Sequence, residues 1–217
     1  MALLTYTALL GERSPNGTFI VDTSFILGAS AGAQSGAPNR LKSANKLKRH
    51  LKENKVGLVY IGVVRNEASH NLREVLFREA MSGGLQKYKN VQKIYKNASG
   101  DKLKEVLRAG YVKAFEVALG KGGKKLRDQL DAVFFGCKYI SSGEMEPKPS
   151  WDEHREIMSE YGLDSSDAMI LNFAISQKTF RGLITLDGDF CFCNDVPGFD
   201  VVVPDNVLNR PGFKDLD

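Results

Sequence analysis

Four acidic residues stand where an α/β chain commonly presents side chains for chemistry. Asp22 closes the apolar run of "GTFIVDTSFILGAS", and Glu67 sits in the opening turns of the helical pattern "VVRNEASHNL". Asp167 stands at the start of "LDSSDAMILNFAIS", and Asp187 directly follows "GLITL". Short runs rich in β-branched and aromatic residues, closed by polar ones, fit parallel strands, and ligands bind at the carboxyl ends of such strands. Taken singly, each acid reads equally as a cap: Asp22 before the next helix, and Asp164-Ser165-Ser166-Asp167 as a capping box. Gathered at one sheet edge, four carboxylates raise one another's proton affinity unless cations neutralise them. Oxygen ligands with no organised Cys or His select Mg²⁺ or Mn²⁺. Such ions activate water and stabilise an in-line phosphoryl displacement. Ser24, Asp164 and Asp189 are further candidates for this site. In "TLDGDF" the first acid, Asp187, is expected to contact the ion directly or through water, and Asp189 to cap the turn that Gly188 permits.

The elements that would hold these acids follow from periodicity. After the first strand, a Gly/Ala/Ser loop leads through Pro38 and Asn39 into a helix running to about Asn54, with Leu41, Ala44, Leu47 and Leu51 on one face. "KVGLVYIG" predicts a second buried strand, and a helix extends from Val63 to about Met81, ended by Gly83-Gly84. Residues 85 to about 140 read as two or three helices uninterrupted by a strand. A loop then precedes a helix that starts after Pro149-Ser150 and ends near Tyr161-Gly162. The next helix turns Ala168, Leu171 and Ile175 inward, and "GLITL" and "FDVVVP" are strands, the last a candidate edge strand. The pattern predicts one domain over 1–217, α/β with a parallel sheet, and a basic helical insertion at 82–150.

Composition sets the class. Hydrophobic residues make up 42% and charged residues 26%, as in a globular protein. The apolar opening "MALLTYTALL" has no Lys or Arg ahead of it and soon meets Glu12 and Arg13, so it fits neither a secretory signal nor a membrane span. Three cysteines, Cys137, Cys191 and Cys193, form an odd set without a zinc-ligand pattern, and buried thiols in a reducing cytoplasm are expected. The net charge of +4 is unevenly spread. Arg40, Lys42, Lys46, Lys48 and Arg49 crowd one helix, and Lys121, Lys124 and Lys125 belong to the lysine-rich insertion, whereas acids concentrate between 144 and 167. Basic surfaces of this kind hold polyanions, so these eight residues are candidate phosphate contacts.

"FIVDTSFIL", "VVRNEASHNL", "GLDSSDAMILNFAI" and "GLITLDGDF" together resemble the four acidic motifs of the PIN domain family of metal-dependent ribonucleases. The resemblance covers roughly 17–80 and 160–203. It implies a three-layer α/β/α fold around a parallel sheet, and hydrolysis of RNA at a carboxylate-held Mg²⁺ or Mn²⁺ centre. Carried over by position, Asp22, Glu67 and Asp167 would be the main metal-binding and catalytic acids and Asp187 the fourth. The long basic stretch between Glu67 and Asp167 departs from compact members, so an RNA-processing endonuclease stands beside a toxin of a toxin–antitoxin pair. A homo-oligomer is compatible with the sequence.

Other chemistries are poorly supplied. Glu67 and His70 make a single Glu-x-x-His, where a di-iron bundle needs two. "LGKGGKK" does not complete a phosphate-binding loop, and no G-x-S-x-G serves a serine hydrolase. The alternative that survives is a non-catalytic RNA-binding or assembly module built on a PIN-like fold.

Overall fold

The computed structural model describes residues 3–13, 15–82, 116–144, 148–193 and 198–208. Two compact units are present: Met1–Glu67 with Val133–Asp217, and Ala68–Ala132. The first unit is built on six parallel strands: β1 (Leu3–Thr5), β2 (Thr18–Val21), β3 (Gly57–Tyr60), β4 (Lys138–Tyr139), β5 (Phe180–Ile184) and β6 (Asp200–Val203). Their order across the sheet is β1-β6-β5-β2-β3-β4. The described α-helices are α1 (Tyr6–Gly11), α2 (Thr23–Ala31), α3 (Asn39–Glu53), α4 (Gly62–Ser82), α5 (Lys124–Val133), α6 (Trp151–Tyr161), α7 (Ser165–Ser176) and α8 (Asp205–Leu208). The fold is α/β, and its all-parallel sheet is compatible with three layers. Among the described residues no helix is long and apolar enough to cross a membrane.

The central strands are apolar without alternation because both their faces are covered. Phe19, Ile20 and Val21 of β2, Leu183 and Ile184 of β5, and Val201, Val202 and Val203 of β6 are all fully buried. Each such side chain contributes about 1.5–3 kcal/mol relative to exposure. On α3 the stripe of Ala44, Leu47 and Leu51 is buried while Arg40, Lys42, Lys46 and Arg49 face solvent. The α2 helix has no such stripe, because it packs closely on α3 and on the segment after β5. A Cβ at Gly28 would stand 2.1 Å from Leu186 Cδ1, and one at Gly32 would stand 1.9 Å from the Leu41 carbonyl oxygen.

Two expectations are corrected. The residues predicted to be helical up to about 140 end in strand β4, whose two residues pair in parallel with Val59 and Tyr60 of β3. The final strand lies inside the sheet, because β1, from the opening apolar run, pairs along its outer side through Leu3–Val201, Leu4–Val202 and Thr5–Val203. The expectations for residues 85–115 lie outside the described residues. In the second unit, α5 places Lys125 Nζ 3.9 Å from Glu79, both exposed.

Between β2 and β5 the register jumps from Thr18–Phe180 to Phe19–Gly182, so Arg181 is an extra residue. Its guanidinium donates to Glu12 Oε2 at 2.8 Å and to Asp200 Oδ2 at 3.1 Å. Beside it Gly182 leaves no room: a Cβ would meet the Asp200 carbonyl oxygen at 2.0 Å. Gly182→Ala is therefore expected to lower stability by roughly 1–3 kcal/mol through forced backbone shifts. A urea unfolding midpoint equal to that of the wild type would show that the strands part without strain.

Candidate active site at the carboxyl edge of the sheet

The strand order creates the crevice in which the acids lie. The chain leaving β2 goes on to β3 on one side, and the chain leaving β5 goes on to β6 on the other, so their connections diverge from neighbouring strand ends. Asp22 and Asp187 follow these two strands. Glu67 rides on α4, which follows β3, and Asp167 stands in the first turn of α7.

Asp22 is only 3% exposed and serves two purposes. Its extended backbone caps α2, with Oδ2 accepting from Ser24 N at 3.3 Å. The same oxygen accepts from the Ser24 hydroxyl and, at 2.8 Å, from the Thr185 hydroxyl across the crevice. Both hydroxyls also accept a backbone N–H from the loop after β5. Ser24 Oγ accepts from Leu186 N at 3.0 Å, and Thr185 Oγ1 accepts from Asp187 N at 2.8 Å. The loop that carries Asp187 is thereby tied to the carboxylate of Asp22. Burial pushes the Asp22 carboxyl above its ordinary range, opposed by the hydrogen bonds from Ser24 and Thr185. Behind Thr185, the buried Tyr6 hydroxyl donates to its carbonyl at 2.6 Å, and burial and then the Asp22 charge push that phenol up.

Glu67 is fixed through the neighbour of Asp22, since its Oε2 accepts from Thr23 Oγ1 at 2.6 Å. Asp164 caps α7, its Oδ1 accepting from Ser166 N at 2.8 Å and from Asp167 N at 2.9 Å. That arrangement realises the backbone half of the capping box and aims the next carboxylate, Asp167, inward. Asp167 is half-buried and pushed up to about 8, first by burial and then by the charges of Asp22, Asp164, Asp187 and Glu67. A helix N-terminus by itself favours an ionised acid. Here burial and four neighbouring carboxylates outweigh it.

The turn after β5 differs from expectation. Asp187, not Asp189, supplies the side chain that closes it, with Oδ1 accepting from Asp189 N at 3.1 Å. The cause is local: an Asx-type bond reaches the amide two residues on, and Asp187 occupies the position that can make it. Asp189 is exposed and opens a short 3₁₀ turn, Asp189–Phe192. His70 is exposed and pairs with Arg73 Nη2 at 3.0 Å. On α3, Lys48 differs from its basic neighbours, because it is half-buried and donates to the Val133 carbonyl at 2.7 Å. Lys121, Lys124 and Lys125 are exposed.

Sequence reasoning missed Thr185, which bonds both strand ends, and Tyr6 behind it. The one signal for Thr185 was a hydroxyl residue closing an apolar run, as Thr23 and Ser24 do after β2. The acids supply hard oxygen donors to one small region. Among the described residues, no three His, Cys, Asp or Glu side chains converge tightly as a ready-made ligand group. Compared with family models, curated proteins and solved structures, the chain matches none of them.

The proton held by Asp167 has a measurable consequence in metal-free protein. Its unfolded carboxyl ionises near the ordinary 3.8 and its folded one at about 8, so in that window the folded chain holds a proton that the unfolded chain has lost. Stability therefore falls as pH rises through the window, and the loss is complete above about 8. Asp167→Asn is expected to raise the thermal midpoint in EDTA at pH 8 and to leave it unchanged near pH 3. Equal gains at both pH values would remove charge as the cause.

Proposed function

We propose that the chain is a metal-dependent ribonuclease with a PIN-like arrangement of acids, which hydrolyses phosphodiester bonds of RNA. The observation that carries this reading is the collection of Asp22, Glu67, Asp167 and Asp187 about the carboxyl ends of β2, β3 and β5, with Asp167 raised by its carboxylate neighbours. A fold that pays for such mutual repulsion gains from it when a cation is present. The donor set is entirely carboxylate oxygen, which fits Mg²⁺ or Mn²⁺ and not a softer metal. These four acids would hold the ion, which when bound lowers the pKa of its water and stabilises charge on phosphoryl oxygens.

The chain's own residues supply the rest. Thr185 and Ser24 orient Asp22, and Thr23 orients Glu67. The Asp164 cap holds the first turn of α7, and with it Asp167, in place. Exposed Arg40, Lys42, Lys46 and Arg49 on α3 supply positive charge for phosphates in the first unit, and Lys121, Lys124 and Lys125 supply it in the second.

Two measurements test the reading. Cleavage of total RNA is expected to require added Mg²⁺ or Mn²⁺ and to stop in EDTA. Asp22→Asn should reduce the rate more than Asp187→Asn, for which a roughly 10- to 100-fold loss is expected because its carboxylate is partly engaged with the turn. Full cleavage by the Asp22→Asn protein would overturn the assignment. Separately, replacing Lys121, Lys124 and Lys125 together with Gln should flatten the log-log salt dependence of RNA binding by about 0.7 per lost phosphate contact. An unchanged slope would return those lysines to the status of a solvated face.

A further inference from the structure

In the first unit a cavity of about 400 Å³ opens beside the start of α4, and its chemistry is unlike that of the acidic crevice. Met169 and Phe173 give it an apolar wall, and Tyr139 and Trp151 add aromatic rings. Tyr139 is 39% exposed and Trp151 is 64% exposed, much more than large aromatic side chains usually are in a folded core. One face of Trp151 is already used, stacked on His154 with centroids 4.9 Å apart and planes at 26°. The Arg65 guanidinium lies over the Tyr139 ring at 5.8 Å. His154 is 3% exposed; its Nε2 lies 3.4 Å from Ser165 Oγ, and among the described residues its Nδ1 has no hydrogen-bond partner.

The cavity shares its supports with the acids. Gly62 and Val63 at its mouth belong to α4, which carries Glu67, and its apolar wall belongs to α7, which carries Asp167. Resting on the ribonuclease reading, we propose that this cavity is a subsite for one unstacked base of a single-stranded nucleic acid. A base has a flat π-face for the free side of Trp151 and for Tyr139, and an attached phosphate for Arg65. An aliphatic peptide side chain or a lipid tail would leave the exposed aromatic face unstacked and the guanidinium without a counter-charge. The subsite therefore favours an unpaired strand over a duplex, whose bases are withheld in the stack.

Trp151 is the only tryptophan in the chain, so its fluorescence reports on this cavity directly. The full chain, kept in EDTA so that nothing is cut, is titrated with a short oligoriboadenylate, with an abasic strand of the same length, and with the oligoriboadenylate in a duplex. Saturable quenching by the single strand, with little from the other two, is expected. Trp151→Ala should weaken binding of the single strand roughly 5- to 150-fold, measured by anisotropy, and Trp151→Phe should recover most of it. Equal quenching by the abasic strand, or Trp151→Ala binding as tightly as wild type, would overturn the subsite. Quenching that grows with protein concentration in the absence of nucleic acid would also overturn it, in favour of a second copy of the chain. The two readings fail separately. A silent Trp151 in protein that still cuts RNA with added metal removes the subsite alone, whereas intact quenching without metal-dependent cleavage removes the ribonuclease reading alone.

Discussion

The hydrogen bond from the Thr185 hydroxyl to Asp22 spans the place where the sheet changes direction, and the acidic crevice depends on it. Two parallel strands whose connections depart to opposite sides leave a gap at their carboxyl ends. A buried carboxylate in that gap would be untenable without donors. Ser24 from one strand end and Thr185 from the other supply them, and each hydroxyl also accepts an amide of the loop after β5, Ser24 from Leu186 across the gap and Thr185 from Asp187 two residues on. The result is a reciprocal lacing: the acid is solvated by the loop, and the loop takes its shape from the acid. Networks of this kind, fully satisfied in a low-dielectric setting, are stiffer than their separate bonds suggest.

Charge and geometry meet again at the start of α7. Asp164 is committed to two backbone amides, so its carboxylate stays at the helix end. Three residues along, Asp167 faces inward and receives the combined field of its neighbours, and it is where the cluster's repulsion is most evident. One capping residue thus does what a loop could not. It holds an acid in an unfavourable field at a fixed height above the sheet, because the rigid helix behind it cannot yield.

What the sequence made legible was decided by burial. Strands β2, β3 and β6 and the end of β5 are covered on both faces and so appear as apolar runs, and the caps of α6 and α7 are written in Ser150-x-x-Glu153 and Asp164. Strands β1 and β4 have three and two residues, too few for any period, and exist because a neighbour offers a ladder. The positions of the acids could be read from element ends. The roles of Asp187 and Asp189 in their turn could not, because an Asx bond depends on which carboxylate the loop turns toward its own backbone. Thr185 and Tyr6 were hidden for a related reason: a threonine closing a strand and a tyrosine in an apolar run carry no mark of what lies across the sheet. Trp151 read as part of a short helix, since nothing along the chain reveals that Tyr139 and Met169 stand beside it.

The pairing of β1 with β6 sets an order of events during synthesis. Leu3–Thr5 leave the ribosome long before their partner strand, which begins at Asp200, and Thr185, which receives the Tyr6 hydroxyl, emerges only shortly before that strand. Contacts of such long sequence separation close late. Until then the nascent chain carries Asp22 and Glu67 without the strand that completes their surroundings. The acidic crevice is thus among the last features of the described fold to close.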